Sequence, residues 1–364
     1  MKPVLRNFAI SVLALLLLPG SAEERTRQTT PEPLLVVIEQ PESKAAEPEG
    51  EPKEEEAEEK PVCIRLSDGQ AVQTLPLEEY LVGVVLSELP ASFADEAFKA
   101  QAVAARTFTR RRCAAPKHAD CDVCADAACC QAWTSREELK KRLGADFERV
   151  WQKAADAVAQ TRDEVLLYDG ALIDAVYFSC SGGMTEDAAA VWGTDVPYLR
   201  SVPSPGEQDA PRNTGERTVQ ADELRALLQA DRPGLKLAGA PETWFKEVER
   251  TQGGGVASVC VGGQKLSGTE LRALLGLDST CFELSFTDQA VTFQTRGFGH
   301  RVGMSQYGAN AMAEQGFDYR TILRYYYRGA EIKKLPGIAS GEDGRIRTDS
   351  APESEPGTQR RPTW

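Results

Sequence analysis

Four groups of residues in this chain have types and spacing that chemistry can use. The first is His118-x5-Cys124-x5-Cys130. Thiolates and imidazole are the ligands that zinc favours, and residues 116–130 form a loop compact enough to fold round one ion. Cys121-x2-Cys124 is a second zinc spacing within it, and a local disulfide is the rival reading. Adjacent Cys129 and Cys130 weigh against the disulfide, because neighbouring cysteines rarely pair with each other. A fully coordinated ion would be structural, whereas an open position would allow catalysis.

The second group is the glycine-rich stretch 297–308, Gly-Phe-Gly-His-Arg-Val-Gly-Met-Ser-Gln-Tyr-Gly. Glycines let backbone approach a ligand closely, and His300, Ser305, Gln306 and Tyr307 supply hydrogen-bonding groups among them. The stretch lacks the third glycine of a dinucleotide fingerprint, so it reads as the wall of a cleft for a polar ligand. The third group is Ser179-Cys180-Ser181-Gly182-Gly183, which with His300 has the composition of a nucleophile and its base but not the strained nucleophile elbow. The fourth is Glu88, which follows the apolar run 81–86 and precedes Pro90. An apolar setting raises a carboxyl pKa, as a general acid requires, while Lys99 or Arg106 nearby would lower it.

The elements that must position these groups follow from local signals. Val62, Ile64 and Leu66 alternate ahead of an Asp68-Gly69 turn, so structure begins with a hairpin. Pro76 opens a helix that runs to about Ser87 and that Pro90 stops. Ser92, with Asp95 three residues on, predicts the cap of a second helix, with Phe93, Ala97, Ala100, Ala104 and Phe108 on one face and Lys99, Arg106 and Arg110 elsewhere on its surface. A further helix is expected over about 136–160, strands over 165–168 and 172–178, and again over 281–286 and 291–295. Glu-Leu-Arg-Ala-Leu-Leu occurs at both 223–228 and 270–275, which reads as two similar amphipathic helices and not as a solenoid. Helices near 305–315 and 318–327 close the ordered part. The expected fold is α+β: mixed helices and antiparallel strands around a central cleft, with a smaller inserted lobe at about 205–285.

Composition bounds the setting. With 364 residues, 41% hydrophobic and 27% charged, the chain is neither fully disordered nor polytopic in a membrane. A net charge of −13 argues against a nucleic-acid partner. Residues 1–22 have a basic start, an apolar run 8–18 and small residues at 20–22, the pattern of a signal peptide or an N-terminal anchor. Residues 23–60, with their glutamate run, read as an acidic Pro/Glu-rich linker, and 337–364 as a disordered tail. The folded part, 61–336, is therefore expected to be extracytoplasmic, secreted or anchored to the outer face of the cytoplasmic membrane, and to meet the membrane only through the N-terminal segment.

The order of these segments resembles a known family. Leu75–Leu81, Ser87-Glu88-Leu89-Pro90, the stretch 96–108, Tyr177–Gly183, Val191-Trp192-Gly193, Leu266–Arg272 and above all 302–309 are similar to the stage II sporulation protein D family across about 62–335. One branch of that family consists of lytic transglycosylases that act on peptidoglycan glycan strands stripped of their peptides. Another is described as amidase enhancers, which assist a separate cell-wall amidase without cleaving glycan themselves. The resemblance implies that Glu88 is the catalytic acid and that His118, Cys124 and Cys130 hold a zinc ion, in a structural role. Lys99, Gln101, Arg106, Ser181, His300, Ser305, Gln306 and Tyr307 would then orient the saccharide, with Lys99 and Arg106 meeting its lactyl carboxylate. Two positions depart from the family's pattern: Phe178 stands where a histidine is common, and Arg301 where glycine usually follows the motif histidine, so Arg301 is expected to alter substrate fit near His300.

Overall fold

The computed structural model describes residues 62–335. The expected signal segment, acidic linker and tail lie outside the described residues. The described part is a mixed α+β fold with small sheets of two or three strands.

The chain opens with an antiparallel hairpin, β1 (Cys63–Ser67) and β2 (Val72–Pro76), turned at Asp68-Gly69. Helix α1 (Leu77–Glu88) starts directly after Pro76 and stops at Leu89, one residue before Pro90. Helix α2 (Asp95–Ala114) follows. It begins later than expected: Ser92 lies in a turn, and no side chain from its own turn caps the helix. Asn310, distant in sequence, instead accepts the Ala94 N–H at 2.7 Å. A tertiary partner has replaced the local cap, a choice that local spacing cannot reveal.

Helix α2 runs between two hydrophobic cores. Ala97, Phe98, Ala102 and Ala105 face the first, with Tyr80, Leu81, Val85, Phe147 and Val150. Ala100, Val103 and Ala104 face the second, with Leu166, Met304, Ile322 and Tyr326. A helix enclosed on both sides needs small residues, which accounts for its alanines. It also corrects the expectation that Arg106 and Arg110 lie on its surface. Arg106 is fully buried. It pairs with Glu78 of α1, Nη2 to Oε2 at 2.8 Å, and donates to the Val158 and Thr161 carbonyls at 3.0 and 2.8 Å.

A short strand β3 (Val123–Cys124) then pairs parallel with β1. The helix expected over 136–160 is two helices, α3 (Arg136–Leu143) and α4 (Phe147–Gln160). Gly144, at φ +55°, breaks the helical path between them. Strand β4 (Glu164–Tyr168) turns at Asp169-Gly170 into β5 (Ala171–Leu172). The expected strand 172–178 divides here, because β6 (Tyr177–Phe178) leaves that sheet and pairs parallel with a later strand. A short helix α5 (Ala188–Trp192) ends at Gly193.

A third hydrophobic cluster lies between Val219 and Phe293. It is built from β7 (Thr214–Gln220), α6 (Ala221–Asp231), β8 (Phe245–Arg250), β9 (Val256–Val261), β10 (Gln264–Ser267), α7 (Gly268–Leu275), β11 (Phe282–Phe286) and β12 (Ala290–Arg296). The two similar hexapeptides fall in α6 and α7. The cluster reaches beyond the limits expected for a lobe at 205–285, because β12 is the central strand between β11 and β7. The chain then returns through β13 (Met304–Ser305), α8 (Gln306–Glu314), α9 (Tyr319–Tyr326) and β14 (Glu331–Lys334) to the second core.

Replacing Arg106 by Ala strands the Glu78 carboxylate and uncaps the end of α4. A loss on the order of 3 kcal/mol in urea unfolding is expected. A surface arginine that only met ligand would leave stability within about 0.5 kcal/mol.

Candidate active site and candidate metal centre

Glu88 is the last residue of α1. The segment just after the cysteine-rich loop packs against that end of the helix. Gly83 makes this possible: a Cβ there would lie 2.4 Å from Trp133 Nε1 and 2.9 Å from the Thr134 carbonyl. Ser87 Oγ also bonds Thr134 Oγ1 at 2.8 Å. The close approach delivers the Ala132 N–H to Glu88 Oε1 at 3.0 Å.

The other carboxylate oxygen is met from the far end of the chain. Gln306, the first residue of α8, donates from Nε2 to Glu88 Oε2 at 3.1 Å. Its approach depends on β13 pairing with β6, Met304 opposite Tyr177 and Ser305 opposite Phe178. Gly303 permits that pairing with φ +79°, and a Cβ on it would lie 2.2 Å from the Val176 carbonyl.

Both donors to Glu88 are neutral. Burial raises the Glu88 carboxyl above its ordinary range, and the bonds from Gln306 and Ala132 only partly offset this. Its place at a helix C-terminus acts in the same direction, since the dipole there disfavours negative charge. The cations expected to compete are engaged elsewhere. Lys99 pairs with Glu96 at 2.7 Å, and Arg106 with Glu78.

Polar groups continue away from Glu88. Gln131 donates to Tyr80 Oη and Thr109 Oγ1 at 3.2 and 2.9 Å, and accepts from Tyr177 Oη at 2.9 Å. Gln101 is fully buried, and both ends of its amide lack a hydrogen-bond partner among the described residues. Tyr307 is half-buried, edge-on to Phe93 with ring centroids 4.9 Å apart.

Ser181 and Ser305 take a different part from the expected one. Both are fully buried and both donate to Glu207. Glu207 also accepts from the Ser181 and Gly182 N–H groups at 2.8 and 3.0 Å and from Ser204 Oγ at 2.7 Å. One buried carboxylate thus holds the serine–glycine turn and the cap of α8 together, so the two serines brace the wall from behind. A lone glutamate in a proline-rich loop gives no sequence signal of this.

Arg301 also turns inward, which corrects the expectation that it alters substrate fit. At 1% exposure it donates to the Ser181, Met184 and Gly253 carbonyls and pairs with buried Glu186 at 3.2 Å. The nucleophile–base reading finds no support. His300 Nδ1 accepts from the Val302 N–H, and its ring packs between Phe178 and Trp192. Burial, helped by nearby Arg272, pushes its pKa down to about 4. The Cys180 thiol is buried and pushed up to about 11.

The cysteine-rich loop is pinned to β1. The Arg65 N–H and guanidinium both donate to Asp122, at 2.8 and 2.9 Å, and Cys124 lies opposite Ser67. A turn on Asp126, whose carbonyl accepts the Cys129 and Cys130 N–H groups, folds those cysteines back. The donor atoms of His118, Cys124, Cys129 and Cys130 then all lie within 4.8 Å of one another. His118 Nε2 is 3.5 Å from both Cys129 Sγ and Cys130 Sγ. Tetrahedral zinc with thiolates at about 2.3 Å needs ligand separations of roughly 3.8 Å, so this one-histidine, three-cysteine set fits it. Cys129 is the donor that spacing missed, and the adjacent cysteine pair was its only signal.

Comparison with known proteins gives concordant matches. A family described as stage II sporulation protein matches residues 66–168. Stage II sporulation protein D of Bacillus subtilis (strain 168) is 42% identical over 271 residues, 73% of this chain and 76% of that protein. The same protein of Bacillus amyloliquefaciens is 39% identical over 304 residues, 82% of this chain and 85% of that one. A Bacillus subtilis (strain 168) protein described as an amidase enhancer is 29% identical over 305 residues, 69% of this chain and 40% of its own length.

A carboxyl pKa raised in the folded state means that folding takes up protons there. Stability contributed by Glu88 is then highest at low pH and falls as the pH rises from the unfolded value, about 4.3, through the folded one. Glu88→Gln removes this decline and is expected to be at least as stable as the parent at pH 7. Urea unfolding of both proteins from about pH 4 to 8 checks it.

Proposed function

The chain belongs to the stage II sporulation protein D family, and on that footing we propose that it is a lytic transglycosylase of peptide-stripped peptidoglycan strands. The observation that carries the reading is Glu88: a half-buried carboxyl at a helix end, raised by burial and held by two neutral donors. Such a group keeps its proton to a higher pH than an ordinary glutamate does and can give it away.

Ordinary glycosidases use two carboxylates, one as acid and one as base or nucleophile. Two further buried carboxylates are engaged inside the fold: Glu207 accepts hydrogen bonds on both oxygens, and Glu186 pairs with Arg301 and accepts from Thr251 and the Gly255 N–H through Oε1. A mechanism with one carboxyl suits the arrangement. Glu88 protonates the oxygen linking N-acetylmuramic acid to N-acetylglucosamine. The bond breaks with positive charge developing on the muramic ring. The C6 hydroxyl of that same sugar attacks its anomeric carbon, and ionised Glu88 accepts the hydroxyl proton. Tethering replaces capture of a water, and the product carries a 1,6-anhydro ring. Gln306 and the Ala132 N–H hold the carboxyl through both proton transfers. Tyr307, half-buried, is available to meet sugar hydroxyls, whereas Gln101 is fully enclosed and takes no part in binding.

We further propose that His118, Cys124, Cys129 and Cys130 hold zinc. Four protein ligands leave no open position, so the ion's contribution is structural. Cys130 stands two residues before Ala132, and a staple there fixes the N–H that holds Glu88. The likeness to an amidase enhancer sustains a second reading, a non-catalytic module that binds wall glycan for an amidase. An extracytoplasmic location, secreted or anchored, accompanies either reading.

Mass spectrometry of peptide-free strands incubated with the protein separates the two. Anhydro-ended fragments, one water lighter than hydrolysis products and reduced at least 100-fold by Glu88→Gln, are the expected result. Strands that bind but stay intact would favour the enhancer. For the metal, elemental analysis should find about one zinc per chain. Cys129→Ser should lower zinc content and melting temperature together, whereas Cys113→Ser, outside the four donors, should retain zinc.

A further inference from the structure

A cavity of about 320 Å³ lies where α7 meets the glycine-rich stretch. Arg212, Thr269, Arg272, Asp278 and Phe298 line it, and Glu88 does not. Its two guanidinium groups differ. Arg212 pairs with Asp278 and stacks on Phe298 with its carbon 3.5 Å from the ring centroid. That charge is already answered. Arg272 forms no side-chain hydrogen bond or ion pair among the described residues, and its Nε is buried without a partner. Asp278, already paired with Arg212, acts on Arg272 only through its longer-range charge, so this partly desolvated guanidinium lacks a hydrogen-bond acceptor, a cost that an anion in contact with it would relieve.

Taking the glycan reading as its basis, we propose that this cavity receives the free lactyl carboxylate of an N-acetylmuramic acid unit, with Arg272 as its donor fork. The planar fork matches two carboxylate oxygens, and the Thr269 hydroxyl can add a further bond. Lys99 and Arg106, the cations that spacing suggested for this task, are paired with Glu96 and Glu78.

The chemistry of the anion gives the pocket a purpose. Where a peptide stem remains, the lactyl carboxyl is an amide and carries no charge. Hydrolysis of that amide leaves a carboxylate. A guanidinium distinguishes the two by charge, so the pocket reads whether the stem has been removed.

The test compares peptide-free strands with the same strands after their carboxylates are converted to methylamides. Affinity is measured by calorimetry on Glu88→Gln protein, so that strands stay intact, with and without Arg272→Gln or Arg272→Lys. Products are followed in parallel with Glu88 present. A preference for free-acid strands of roughly tenfold or more is expected, abolished by Arg272→Gln through loss of affinity for the free acid and partly kept by Arg272→Lys. Absence of the preference, its survival in Arg272→Gln, an equal loss for both strands, or no binding of either would overturn the proposal. Anhydro products without a carboxylate preference would remove the pocket and leave the enzyme standing. A carboxylate preference without cleavage would do the reverse.

Discussion

The structure turns on a carboxyl group kept away from positive charge. Glu88 closes α1, half-buried, and its two oxygens meet one backbone N–H and one carboxamide. A lysine or arginine in either place would favour ionisation and remove the acid. The rest of the arrangement supplies neutral donors from opposite directions and occupies the nearby cations elsewhere. Arg106 shows how: it lies in the helix that follows Glu88, yet its charge serves Glu78 and the carbonyls at the end of α4.

Each donor has its own support. The Ala132 N–H depends on residues 131–134 lying against α1 at Gly83, and the loop before them is tied to β1 through Asp122 and Cys124. Gln306 depends on Ser305, whose hydroxyl caps α8 and is held by Glu207. Buried Arg301 and Glu186 carry the same bracing to the Gly253 loop of the third core. Buried charged groups of this kind contribute geometry more than net stability, because desolvation offsets much of their attraction. In this site geometry is what the acid needs, since a proton donor must meet its acceptor at hydrogen-bond distance.

What was legible in the residues was local. Proline at 90 marked the end of α1, Asp68-Gly69 and Asp169-Gly170 marked turns, and the His-x5-Cys-x5-Cys spacing marked three of four converging donors. Glu88 was marked by the apolar run before it and Pro90 after it, but its role as the acid came from the family resemblance, since an isolated glutamate says nothing of its burial. What was not legible depended on partners far away in the chain. Asn310 replaces Ser92 at the start of α2, Glu78 engages Arg106 in the interior, and Glu207 turns two hydroxyls of the motif inward. Cys129 is the intermediate case. Its neighbour Cys130 was already a ligand candidate, but only the turn on Asp126 brings both thiols to one point.

The central claim concerns one proton, and difference infrared spectroscopy reads it directly. Spectra of the protein labelled with carbon-13 at glutamate carboxyls, minus those of Glu88→Gln, isolate the Glu88 carbonyl stretch across a pH titration. The account predicts a protonated-acid band that persists above the ordinary glutamate value, about 4.3, and disappears only as the pH rises further. A band lost at or below that value would mean that Glu88 is an ordinary ionised carboxylate, and the general-acid account would be wrong.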